Sequence, residues 1–215
     1  MSGRIGVLIS GSGTNLQALL DAFAEDEAVD IAVVISNKAD AYGLERARKA
    51  GVSTVVIDHR GKNRRVFDAE LVQALRAHQV EWVALAGFMR IITPVFLDAF
   101  PGRVVNIHPS LLPAFPGINA QQQAFDAGVE VTGATVHFVD AGMDTGPIIA
   151  QGTVCRHEDD SANDLKARIL EMEHRLFPMV MRMAAEGRLK LVDGELVADV
   201  RTNESLRLGG QLPVA

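Results

Sequence analysis

Short apolar runs recur through the first half of the chain, and amphipathic segments separate them. Ile5-Gly6-Val7-Leu8-Ile9 is the first run, and Leu16, Leu19, Leu20 and Phe23 follow it at helical spacing. Ile31 to Ile35, Thr54 to Ile57 and Trp82 to Ala86 are further runs of strand length. Between them, Ala41–Ala50 reads as a helix stopped by Gly51, and Arg64–Gln79 as a longer helix carrying Val66, Leu71, Val72 and Leu75. Ile92–Ala99 reads as a helix with Thr93 at the N-cap and Pro94 at the first helical position. Continuous apolar strands alternating with helices predict an α/β fold with a mostly parallel, doubly wound sheet.

The fifth run, Val104-Val105-Asn106-Ile107-His108-Pro109-Ser110, breaks the apolar pattern. Side chains two apart in a strand share a face, so Asn106 and His108 point the same way. Pro109 has no N–H for a ladder and marks the strand end. A donor amide beside a titratable imidazole suits chemistry on a carbonyl, although two satisfied polar residues at a strand end read equally well at this point. The glycine-rich turn Ser10–Asn15, Gly87-Phe88 and Asn106/His108 all fall at strand carboxyl ends, where such sheets bind ligands.

The second half changes character. Leu112–Asn119, with Pro113, Pro116 and Gly117, is an irregular loop long enough for a lid, and Ala120–Ala127 a short helix. Ala134–Val139 and Ile148–Val154 read as antiparallel strands flanking the loop Asp140–Pro147, so the sheet is mixed at this end. Ala162–Ala185 is a long helix interrupted by Pro178, and Asp193-Gly194 marks a hairpin within Leu189–Val197. The segment 201–215 reads as a loosely ordered tail. Without repeats or low-complexity linkers, residues 1–215 form one domain.

Composition narrows the function. The 215 residues are 48% hydrophobic and 22% charged, ordinary for a globular core. A net charge of −6 argues against a nucleic-acid face but not against a small anion held by backbone donors. No run approaches a membrane span, and the N-terminal apolar patch is too short for a signal-peptide core. One cysteine, Cys155, allows no intrachain disulfide and fits a reducing, cytoplasmic location.

Ser10-Gly11-Ser12-Gly13-Thr14-Asn15 joins a strand to a helix, where glycines admit a ligand and helix amides favour an anion. Leu16 replaces the third glycine of a dinucleotide fingerprint, and the Walker lysine is missing, which leaves a phosphate monoester as guest. A tight turn with a side-chain cap is the alternative. Asp144 is a candidate partner for a histidine, since a carboxylate beside an imidazole orients it, or else a turn aspartate. His137 reads as a satisfied strand residue, and His59, His78 and His157 as surface. Glu173 on the last helix could reach ribose hydroxyls but faces water by default. No histidine or cysteine spacing suggests a metal site.

Six stretches together resemble the folate-dependent phosphoribosylglycinamide (GAR) formyltransferases of purine biosynthesis. They are Ile9–Leu16, Ser36–Asp40, Leu85–Arg90, Asn106–Pro113, Thr135–Val139 and Asp144–Ile149, in the family's order and spacing. The resemblance covers nearly the whole chain to about Gly187. It implies a Rossmann-like formyltransferase fold with a phosphate-binding half, 1–110, and a folate-loop half, 111–200. It implies transfer of the formyl group from 10-formyltetrahydrofolate, the co-substrate, to the GAR amine, with no metal. Asn106, His108 and Asp144 become the catalytic trio, stabilising an oxyanion and relaying a proton. Gly11, Ser12, Gly13, Thr14 and Asn15 hold the GAR phosphate, with Leu170 and Glu173 at the ribose or glycinamide. Arg64, Met89, Arg90, Ile91, Ile92, Asn106 and the backbone of Asp140, Ala141, Gly142 and Met143 take folate. The partners are these small molecules, without nucleic acid or membrane, in a monomer or homodimer. Pro116-Gly117-Ile118-Asn119-Ala120-Gln121 departs from many relatives, which carry histidines there. Formyltetrahydrofolate deformylase shares the trio, but usually has an added N-terminal domain. Methionyl-tRNA formyltransferase usually has a C-terminal domain and a basic surface. A non-catalytic nucleotide-binding module leaves the trio unexplained.

Overall fold

A computed structural model describes residues 3–192, 194–199 and 207–208. Five strands run parallel: β1 (Gly3–Ile9), β2 (Val29–Ser36), β3 (Thr54–Val56), β4 (Trp82–Leu85) and β5 (Val104–His108). Helices α1 (Thr14–Phe23), α2 (Gly43–Lys49), α3 (Arg64–Ala77) and α4 (Pro94–Leu97) connect them. β6 (Val131–Phe138) and β7 (Ile148–Cys155) then add to the sheet antiparallel, with α5 (Ala120–Asp126) before them and α6 (Ala162–Ala185) after. β8 (Leu189–Val192) and β9 (Glu195–Ala198) form a separate hairpin. It falls where the sequence predicts it; Gly194 turns at φ 81°, and Asp193 lies outside the described residues. Of the tail expected from Arg201, Arg207–Leu208 form β10 against β7, and the rest lies outside the described residues.

The strand order is β10-β7-β6-β5-β4-β1-β2-β3. The chain leaves β1 toward β2 and β3, then crosses back to β4 and β5. The order therefore reverses at β1, and sheets of this kind bind ligands at the carboxyl ends of the strands flanking such a reversal, here β1 and β4.

Alternation along the strands builds two cores. Ile5, Val7 and Ile9 of β1, Trp82 and Ala84 of β4, and Val105 and Ile107 of β5 face α1 and α6. Leu8, Val83, Leu85 and Val104 face the opposite way, against Phe67, Leu71 and Leu75 of α3 and Phe96 of α4. Asn106 and His108 share the parity of Val104, so the second face carries them.

Two helices differ from expectation. α4 is only Pro94–Leu97, and Thr93 at its N-cap makes no side-chain cap bond. Its backbone N–H instead goes to the buried carboxylate of Asp68 at 2.6 Å. α6 is not interrupted: it is helical from Ala162 to Ala185 through Pro178. A capping box between Ser161 and Asp164 starts it, and Leu165, Ile169, Leu176, Phe177, Val180 and Met181 are buried along it. Packing of that stripe outweighs the one backbone bond a proline removes. Among the described residues no helix is long and apolar enough to cross a membrane.

Candidate active site

β5 ends at the catalytic candidates, and the antiparallel register brings β6 beside them. Asn106 pairs with His137 and His108 with Thr135. Asn106 Nδ2 lies 3.1 Å from His137 Nε2. His137 Nδ1 donates to the Phe138 carbonyl at 2.8 Å, so its Nε2 keeps a lone pair and accepts from the Asn106 amide. Burial pushes the His137 imidazole below its ordinary pKa, against the smaller raising effects of that carbonyl and of Asp144. A neutral His137 thus fixes which way the Asn106 amide points and leaves its second N–H without a hydrogen-bond partner among the described residues. His137 was expected only as a satisfied strand histidine. Its burial was readable from its strand, but its neighbour depends on an inter-strand register that sequence does not show.

Asp144 arrives from the β6–β7 loop. Its Oδ2 lies 3.5 Å from His108 Nδ1 and its Oδ1 lies 3.7 Å from His137 Nε2. The backbone at Asp144 is left-handed, with φ 56°. Oδ2 also accepts the Gly117 N–H at 2.8 Å, tying the 111–119 loop to the site. His108 is buried, and its Nε2 donates to the Phe115 carbonyl at 2.9 Å. Nδ1 is therefore the ring nitrogen turned toward Asp144.

The glycine turn leaves the start of α1 without a side-chain cap. Gly13 caps α1 in a left-handed conformation, φ 70°, and no side chain caps the helix, contrary to the capped-turn alternative. A Cβ on Gly13 would meet Gly43 Cα at 2.6 Å, whereas Gly11 has open space around its Cα. Gly43 donates its N–H to the Gly11 carbonyl, and Arg46 Nε donates to the Ser12 carbonyl at 2.9 Å. Uncapped first-turn amides with the positive end of the helix dipole behind them favour an anion.

Glu173 does not face water. It is buried on α6 against α1, with its carboxyl beside the Asn15 amide. Burial raises its pKa to about 7, partly offset by Asn15. Asn15 Oδ1 is buried with no hydrogen-bond partner among the described residues. Leu170, one turn earlier on the same helix, is half-buried. His59, expected at the surface, is half-buried against Asn37.

The proposed folate residues form a rim of mixed character. Met89, Ile91 and Met143 are exposed apolar side chains, 68%, 54% and 58% accessible, and Ile118 of the 111–119 loop is 76% accessible. Ile92 instead belongs to the second core, with Phe88 and Phe67. Arg90 lies over the Phe67 ring at 5.6 Å, and Arg64 is exposed at the first position of α3. Asp140 takes the Gly142 N–H and the Thr145 hydroxyl, which shapes the Asp140–Met143 turn.

The glycine turn and the Asn106/His108/Asp144 cluster lie on a doubly wound, mostly parallel sheet of the formyltransferase fold class. The chain belongs to the formyl transferase family, whose profile matches residues 3–181. Within that family it is similar to the phosphoribosylglycinamide formyltransferase of Escherichia coli strain K12, 45% identical over 190 residues, 87% of this chain and 90% of the relative. It is 48% identical over 193 residues, 88% of this chain, to the trifunctional purine biosynthetic protein adenosine-3 of Drosophila pseudoobscura pseudoobscura, of whose length the chain spans 14%. Among solved structures, glycinamide ribonucleotide transformylase 1 from Symbiobacterium toebii superposes with a TM-score of 0.88 at 54% identity, over 92% of this chain and 94% of that one.

Proposed function

We propose that the chain transfers the formyl group of 10-formyltetrahydrofolate to the amine of GAR, giving formylglycinamide ribonucleotide for purine synthesis. The observation that carries this is the approach of Asp144 to His108 at the end of β5, the strand that also carries Asn106; the uncapped first turn of α1 and the exposed side chains of Met89, Ile91 and Met143 support it.

GAR would place its phosphate on the amides of Gly11–Asn15 and its ribose or glycinamide toward Glu173 and Leu170. The folate would lie along Met89–Ile92 and Asp140–Met143, with Arg64 at its outer end. The GAR amine attacks the formyl carbon, and the carbonyl oxygen becomes an oxyanion. The free N–H of Asn106 and a protonated His108 Nδ1 would donate to it. In the imidazolium both nitrogens carry hydrogen, and the Phe115 carbonyl already takes Nε2–H. Asp144 would hold the Nδ1 side and help pass the amine proton to folate N10 as the C–N10 bond breaks. The division into a phosphate half, 1–110, and a folate-loop half, 111–200, belongs to the same reading, as do a cytoplasmic location and a monomeric or homodimeric state.

The test is to supply 10-formyltetrahydrofolate with and without GAR and follow release of tetrahydrofolate. Release that depends on GAR, with formylglycinamide ribonucleotide as product, is expected. Release at an equal rate without GAR would replace this reading with the deformylase.

A further inference from the structure

Ser10 precedes the glycine turn, but its hydroxyl serves another loop. It is buried, donates to Asn37 Oδ1 at 2.7 Å and accepts the backbone N–H of Met89 at 2.8 Å. A hydroxyl has one proton, so its donor is fully used on Asn37 and a lone pair remains for Met89. Asn37, also buried, continues the chain: its Nδ2 lies 3.2 Å and its carbonyl oxygen 3.1 Å from His59 Nδ1. One His59 tautomer accepts from the amide and the other donates to the carbonyl, so either keeps the contact. The His59 ring meets Phe67 edge-on at 6.3 Å, Phe67 stacks on Phe88 at 6.4 Å, and Arg90 covers Phe67. A polar path and an aromatic path thus start at His59 and end on adjacent residues of one turn.

That turn leaves β4 through Gly87 at φ 74°. Phe88 is anchored in the core while the Met89 side chain is exposed. The Met89 amide therefore depends on the side chain of Ser10, the residue that follows β1. We propose that Ser10, Asn37 and His59 are positioning residues that fix the Phe88–Arg90 turn, and with it the width of the slot for the pterin-bearing co-substrate, from the phosphate side of the site. The slot assignment rests on the formyltransferase reading; the fixing of the turn does not.

Two measurements separate the two. Hydrogen exchange of the 86–92 segment reads the turn directly. Ser10→Ala should raise exchange at the Met89 amide about tenfold, the scale of one lost hydrogen bond, and His59→Ala, at a half-buried position, should raise it in the same direction by less. Steady-state kinetics read the consequence: KM for 10-formyltetrahydrofolate rises about tenfold in Ser10→Ala, with KM for GAR and kcat within about twofold. Unchanged exchange in a folded Ser10→Ala overturns the proposal, as does unchanged exchange in His59→Ala if Ser10→Ala fails to fold. Both KM values rising together, or a lowered melting temperature with an unchanged folate KM, reduces the three residues to packing and overturns their positioning role. Raised exchange in a chain whose wild type shows no GAR-dependent turnover upholds the fixed turn and removes the formyltransferase reading instead.

Discussion

His108 has one ring nitrogen committed to the Phe115 carbonyl and the other facing Asp144 at 3.5 Å. Only a histidine offers two donors in one plane when protonated and still releases a proton near neutral pH. His108→Ala should lower kcat by at least roughly two orders of magnitude, the scale of a positioned acid–base group. Single-turnover rates at saturating GAR and folate measure this, and a near-normal rate would take His108 out of the mechanism. Asn106 depends on a different neighbour. The neutral His137 lone pair holds its amide, so a residue outside the trio sets the direction of the N–H proposed to meet the oxyanion.

At the scale of elements, the entry to α1 and the body of α6 carry the site. Gly13 needs a positive φ and tolerates no Cβ, because Gly43 Cα stands in the way. Gly13→Ala should therefore displace the turn proposed to hold the phosphate and raise KM for GAR at least about tenfold, since a strained residue at positive φ costs about 1–2 kcal/mol before the clash is counted. A KM for GAR that stays within twofold would detach the turn from phosphate binding. α6 packs across β1, β4, β5, β6 and β7 and against α1, and it carries Glu173 to Asn15 at the start of α1. Phe177 is fully buried on it. Phe177→Ala should lower stability by about 3–5 kcal/mol, measured as the denaturant midpoint at constant m. A loss below about 1 kcal/mol would mean that the α6 interface is not where the fold holds its stability.

For the molecule as a whole, two buried groups give stability a pH dependence of opposite sign. Glu173 binds its proton more readily folded than unfolded, with a pKa of about 7 against an ordinary value of 4.5. The stability it contributes is full below about 4.5 and is lost as pH rises through about 7. His137 is depressed by burial, so its contribution is present above its ordinary value of 6.5 and is lost as pH falls through its folded value. Replacing Glu173 by Gln removes the first slope and keeps the amide-sized side chain. Urea unfolding of the unliganded protein from pH 5 to 8 should therefore show the variant gaining stability relative to wild type as pH rises, by an amount on the order of 3 kcal/mol at the alkaline end. A constant difference across that range would show that Glu173 titrates alike in both states.

Local periodicity was enough for the alternation of strands and helices, for the shared face of Asn106 and His108, and for the glycine turn before α1. Those features depend on neighbours within a few residues, where backbone geometry dictates what side chains do. The continuity of α6 through Pro178, the burial of Glu173 and the shortness of α4 were not readable, because each is decided by what packs against it. Asp144 stands 36 residues beyond His108 in number, and His137 reaches Asn106 only through the β5–β6 register. Likeness to a family named the Asp144 partnership in advance; only the folded chain shows the distances, and shows His137 at all. The sequence by itself determined the alternation that builds the sheet, its carboxyl edge and the residues placed on it. Tertiary structure decided which of them meet, because side chains far apart in the chain come together only through strand order and register, quantities that no local pattern contains.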